Sequence, residues 1–207
     1  MNILENMSRY AVKAMKTKLK DMDDEKCDIV NYGLYVLLSD IVKSTILLSI
    51  AYMLGIFLYC IAAMAGVAVL RTFFGGVHSK TWLGCLMANI LLIYGNVYFS
   101  LSLSNLNSFY INSLIYLVCF LIVFLYVPAD HENKPVESKK QRKLLRWLSF
   151  TLLAVHYLVS VLVLSQPFSN ILAISALTSS VSTLPSVYKI TANRHGDAYH
   201  HPSPLSK

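Results

Sequence analysis

From Tyr32 to Phe74 the chain is almost continuously apolar. That run constrains the fold more than any other feature. A helix crosses the hydrocarbon core of a bilayer with about 20 residues. The run is too long for one crossing, so it reads as two helices joined by a tight turn, with Gly55 as the turn point. Composition agrees. Of 207 residues, 56% are hydrophobic and only 14% charged, whereas a soluble domain carries about 25% charged residues.

The same reasoning divides the rest of the chain. A third span runs from about Thr81 to Leu101 and a fourth from about Phe109 to Val127, joined by the uncharged loop Ser102 to Ser108. A fifth covers about Trp147 to Ser165. Gln166-Pro167 makes a turn, and a sixth span reaches about Tyr188. Before the first span, residues 2 to about 22 read as an amphipathic helix. Ile3, Met7, Tyr10, Ala14 and Met22 lie near one stripe, with Arg9, Lys13, Lys16 and Lys20 on another face. Such a helix suits a membrane surface or the protein's own cytosolic face. Asp21, Asp23, Asp24, Glu25 and Asp28 then read as a solvated connection. The expected fold is all-α: one polytopic membrane domain of about six transmembrane helices with an N-terminal amphipathic surface helix. Its parts are residues 1–28 (amphipathic), 29–188 (bundle) and 189–207 (polar tail). The bundle contains a polar break at 71–85 and a basic loop at 128–146. No cleavable signal peptide is expected from the first twenty residues, which lack a continuous apolar core.

Charge sets the expected orientation. Seventeen of the eighteen Lys and Arg residues lie before the first span, in the 71–80 break, in the 128–146 loop or in the tail. Lys43, inside the first span, is the exception. The three opposite turns hold none. The positive-inside rule therefore puts both termini and the polar break in the cytoplasm. Asp40 and Lys43 are three apart, on one helical face, and read first as an intrahelical ion pair. Net charge is +7, which favours acidic partners or anionic lipid headgroups. No nucleic-acid partner is expected.

Chemistry concentrates in the break Arg71-Thr-Phe-Phe-Gly-Gly-Val-His78, which leads on to Cys85. A thiol becomes a strong nucleophile when ionised, and an imidazole can take its proton. On one straight helix a spacing of seven would separate His78 and Cys85 by about 10 Å along the axis, while proton transfer needs roughly 3 Å. His78 is therefore expected outside the helix that carries Cys85, on a segment folded back by Gly75 and Gly76. Ser79 or Thr81 would cap that helix and leave Cys85 in its first turns. Arg71 reads as a positive-inside anchor or as a cation for a carboxylate or developing oxyanion. Cys60 and Cys119 sit in apolar spans and read as packing residues. Cys27 sits among carboxylates, which disfavour its thiolate. His156 reads as an interior hydrogen-bonded residue that could also face the site. The four cysteines show no metal-like spacing, and neither a metal nor a cofactor is expected. His195, His200 and His201 belong to the tail.

The pattern Arg71-x4-Gly76-x-His78-x6-Cys85 resembles the signature of the accessory gene regulator B (AgrB) family of membrane cysteine endopeptidases. Tyr126-Val-Pro-Ala-Asp130, with Pro135, resembles that family's Ala-Pro-Ala-Asp segment, with Val127 replacing an alanine. Length, span number and basic loop also agree. The resemblance implies cleavage of a small quorum-sensing precursor peptide in a Gram-positive bacterium, with Cys85 as nucleophile and His78 as base. Arg71, Gly75 and Gly76 would be supporting positions. The central peptide segment would remain as a thioester on Cys85 until an internal cysteine or serine closes a thiolactone or lactone. Family precursors have an amphipathic leader and an acidic C-terminal region. Lys139, Lys140, Arg142 and Lys143 are the expected receptors for the acidic part, and the N-terminal helix for the leader. The resemblance also implies a homodimer in the cell membrane. Asp40, Asp130 and Ser79 are candidates for a third catalytic residue. Two competing readings stand beside it. One is a non-enzymatic peptide exporter or sensor component using Asp40, Lys43 and His156 as a polar pathway. The other is a structural partner of a histidine kinase.

Overall fold

The computed structural model describes residues 3–18, 23–77, 81–104, 108–129 and 138–191. It is all-α: α1 (Ile3–Lys18), α2 (Asp24–Met53), α3 (Phe57–Phe74), α4 (Trp82–Ser102), α5 (Ser108–Tyr126), α6 (Lys139–Leu158), α7 (Phe168–Val181) and α8 (Pro185–Ile190). A single π-helical stretch, Val159–Val163, prolongs α6. Five of these helical segments are long and apolar enough to cross a membrane. The chain clusters into two compact units, Met1–Gly55 and Ile56–Lys207.

In the first unit α1 packs along α2. Among the described side chains of α1, Ser8 and Val12 are buried, whereas Met7, Tyr10 and Ala14 of the apolar stripe are exposed. The stripe thus faces away from the unit's own core. Asp24, Glu25 and Asp28, expected in a connection, open α2 instead. Carboxylates at a helix N-terminus oppose the positive end of the backbone dipole, which favours helix there. Lys43 donates from Nζ to Asp40 Oδ1 at 2.9 Å, with Lys43 largely buried and Asp40 exposed.

The second unit is organised around α7. That helix has only 14 residues, about 21 Å at 1.5 Å per residue, against a hydrocarbon core of about 30 Å. The expected sixth span is therefore a short helix, followed by the separate turn of helix α8. It packs against α3, α4, α5 and α6, and Ser169, Asn170, Ile171, Ala173, Ser175, Ala176, Ser179 and Ser180 are buried. A helix walled off by other helices has no need of an apolar surface. It needs small side chains for close approach and polar ones that find partners. Asn96 of α4 donates to Ile171 O at 3.2 Å and to Ser175 Oγ at 2.8 Å. Asn112 of α5 donates to Ser169 Oγ at 2.9 Å and to Asn170 Oδ1 at 3.1 Å. Asn170 donates to Ser100 O at 3.3 Å. The apolar core lies beside these contacts, built from Leu70, Phe74, Tyr116, Cys119, Val123, Val127, Leu153, Ala173 and Ala176. Outward, Leu91, Leu114, Leu117, Leu121, Phe124 and Leu162 are exposed. Polar groups within and leucines without is the arrangement a lipid solvent demands.

The expected basic loop at 128–146 is corrected in part. Residues from Lys139 onward form the first turns of α6, because Lys, Gln, Arg and Leu are all strong helix formers. Asp130 and Pro135 lie outside the described residues, as do Met22, most of the acidic 21–23 stretch and the tail histidines.

Candidate active site

The site is built from the C-terminal end of α3. Gly75 caps that helix, its N–H donating to Arg71 O at 3.2 Å. Gly75 and Gly76 have φ of 77° and 123°, a region that side chains disfavour. Space excludes side chains as well. A Cβ on Gly75 would stand 2.1 Å from Ala129 O, and one on Gly76 would stand 2.6 Å from Ser182 Oγ. Gly75 pairs with Ala129 in a parallel bridge, and Ala129 N donates to Phe74 O at 2.9 Å. Val77 N donates to Ser182 O at 3.4 Å. Three distant segments therefore meet on the glycine pair: the end of α3, the stretch after α5 and the end of α7. Arg71 folds back over the turn, its Nη2 donating to Val77 O.

The structure thus ties together the two motifs noted in the sequence. Ala129 of the Tyr126–Asp130 segment lies against Gly75, and Val127 and Pro128 are buried beside it. The Arg146 guanidinium reaches back from α6, Nε donating to Val127 O at 3.0 Å. This fastens the basic end of α6 to the segment that contacts the glycines.

On the other side of the break, Thr81 caps α4. Its backbone is extended, and its Oγ1 accepts from Gly84 N at 3.2 Å. Cys85 falls in the first turn, its own N–H donating to Thr81 O at 3.0 Å. The side chain is half-buried and in no disulfide. The first turn of a helix presents the positive end of the backbone dipole. Arg71 lies within electrostatic reach of Cys85 and of the buried Tyr188 on α8. One turn beyond the thiol, Asn89 Nδ2 donates to Cys85 Sγ at 3.7 Å. His78, the expected base, and Ser79 lie outside the described residues, between Val77 and Thr81.

Cys60 and Cys119 are fully buried. His156 belongs to the interior: its Nδ1 shares a hydrogen bond with Tyr116 O–H at 2.7 Å, and its Nε2 faces Gly66. Among the described residues no group of three or more His, Cys, Asp or Glu is placed to hold a metal ion.

The residues of the expected basic receptor lie at the start of α6. Lys139, Arg142, Lys143 and Arg146 line one cavity of about 210 Å³. Their spacing of three, four and seven puts them on one helical face. Lys140 is exposed and does not line that cavity, since one residue turns the helix by about 100°. Arg146 lines that cavity as well. Sequence reasoning missed Arg146 as a lining residue because it treated the segment as a loop. It missed Asn89, although a helical step of four from Cys85 was there to be read. It missed Ala129, Ser182 and Tyr188, for which the chain carries no local signal.

The family model AgrB, accessory gene regulator B, matches residues 8–184. AgrB-like protein 2 of Clostridium perfringens strain 13 is 25% identical over 165 residues, 77% of each chain. An AgrB-like protein of Clostridium acetobutylicum is 22% identical over 198 residues, 96% of this chain and 93% of its own. One from Listeria monocytogenes serotype 4a is 23% identical over 180 residues, 87% of each. These names state kinship and no activity. No solved structure matches the chain.

Proposed function

Because the chain belongs to the accessory gene regulator B family, we propose that this multi-pass membrane protein is a cysteine endopeptidase that matures a small signalling peptide. The observation that carries the proposal is the placement of Cys85: in the capped first turn of α4, half-buried, with a cation in electrostatic reach. In the proposed reaction His78 takes the proton from Cys85 Sγ. The thiolate attacks the scissile carbonyl carbon. The C–N bond breaks, and the imidazolium protonates the departing amine. The remaining segment is held as a thioester on Cys85. A thiol or hydroxyl within that segment then attacks the thioester carbonyl, closes a thiolactone or lactone ring and returns the Cys85 thiol. Exchange of an amide for a thioester is uphill, so water must be kept from the acyl-enzyme, and the edge of an apolar bundle serves that need.

The face formed by Lys139, Arg142, Lys143 and Arg146 is the proposed receptor for an acidic C-terminal region of the precursor. The exposed stripe of α1 is the proposed contact for the membrane surface or for an amphipathic leader. By the positive-inside rule both termini and the catalytic break face the cytoplasm. A homodimer is the proposed assembly. The competing exporter reading lacks an observation of its own, since Asp40 and Lys43 are paired with each other and His156 with Tyr116.

The test is co-expression with the short open reading frame beside the gene, followed by mass spectrometry of the membranes. The expected result is a truncated peptide linked to Cys85, lost in Cys85→Ala and His78→Ala. Full processing by Cys85→Ala would remove the proposal.

A further inference from the structure

Asn89 is polar, half-buried and placed in a helix of membrane-spanning length. Such a residue costs free energy unless it has a partner. The other asparagine midway along α4, Asn96, is committed to α7. Asn89 instead makes its hydrogen bond to the Cys85 sulfur, Nδ2 to Sγ at 3.7 Å. The geometry follows from the helix. Residues four apart share a face, and helical side chains lean towards the N-terminus, so Asn89 reaches back over the turn that holds Cys85.

We propose that Asn89 is a further catalytic residue, its carboxamide N–H stabilising the Cys85 thiolate and holding the sulfur in one rotamer for attack. The inference rests on the cysteine-peptidase reading. Sulfur is a weak acceptor as a thiol and a stronger one once ionised, since charge-assisted hydrogen bonds are roughly twice as strong as neutral ones. The contact therefore gains strength as the proton leaves Sγ for the base, which is the kind of differential interaction that lowers a barrier. Arg71 from α3 lies within electrostatic reach of the thiol and of Tyr188 on α8. Asn89 supplies what neither of them does, a neutral donor fixed on the same helix as the nucleophile.

The test uses the full chain in membranes and two variants of near-native shape. Asn89→Asp replaces the donor by an acceptor, and Asn89→Leu removes hydrogen bonding. Alkylation of Cys85 by iodoacetamide is followed on the Cys85 peptide by mass spectrometry from about pH 6 to 9, a window that brackets thiol ionisation. Precursor cleavage is measured beside it. In Asn89→Asp the midpoint of alkylation is expected to move to higher pH, and cleavage at neutral pH to fall about tenfold or more. Asn89→Leu is expected to move both in the same direction by less. Should either variant fail to reach the membrane, the other reads the same quantities. Profiles that coincide with the native one overturn the role, even if cleavage falls. The alkylation profile needs no substrate, so it reports on Asn89 alone. Intact cleavage by Cys85→Ala would instead overturn the peptidase reading.

Discussion

Substituting alanine for Gly75 probes the joint on which the site is built. Two costs can be worked from the geometry. The backbone at Gly75 has φ 77° and ψ −146°, a region essentially reserved for glycine, and holding another residue there costs about 1–3 kcal/mol. The new Cβ would also stand 2.1 Å from Ala129 O. That is far inside contact distance and against backbone, so the bridge must open. Opening forfeits the Ala129 N to Phe74 O hydrogen bond, a further loss of about 0.5–1.5 kcal/mol. Together these come to about 1.5–4.5 kcal/mol, or roughly 10- to 2,000-fold in the population of the closed joint. Gly95→Ala is the control, because no heavy atom lies within 4 Å of its added carbon. The assay is precursor cleavage in membranes, with thermal unfolding of the detergent-solubilised proteins. Gly75→Ala should lose cleavage by at least tenfold and melt lower, while Gly95→Ala should do neither. Native cleavage and native melting in Gly75→Ala would refute the reasoning.

Three other substitutions test separate parts. Asn96→Leu removes two hydrogen bonds to α7 and should destabilise the protein by about 1–3 kcal/mol, seen as a lower melting temperature in detergent. Thr81→Ala removes the cap of α4 at a cost of about 1 kcal/mol, and Cys85 alkylation should slow while most processing survives. Arg142→Gln with Lys143→Gln should weaken processing, more at low salt than at high salt because screening already weakens the native contact. Lys140→Gln, off the cavity, should leave processing within about twofold at either salt concentration, a change too small to register as a lost ion pair.

How much could be read beforehand varied with the kind of signal. Spans α2 to α5 follow from apolar runs, and Gly55 is indeed the turn, with φ 71°. The start of α6 was misplaced because Lys and Arg mark solvent exposure and favour helix at once. The last span could not be told from a shorter core helix. Its serines and alanines carry little hydropathy signal, and only the surrounding helices show that it is enclosed. Within the site, a cap at Ser79 or Thr81 and Cys85 in the first turns that follow were legible from local pattern, and Asn89 would have been. The pairing of Gly75 with Ala129 was not.

The sequence by itself determined which apolar runs, the last one apart, are long enough to cross a membrane, and which cysteine lies nearest a polar break. These are local quantities, set by the transfer free energy of each stretch between water and lipid. Only the tertiary structure decided that the glycine pair is clamped between Ala129 and Ser182, that Arg71 turns back to Val77 within reach of the thiol, and that α7 is enclosed by α3, α4, α5 and α6. Those facts depend on how close two distant backbones come. That separation is fixed by packing in the bundle as a whole, and no single stretch of the chain encodes it.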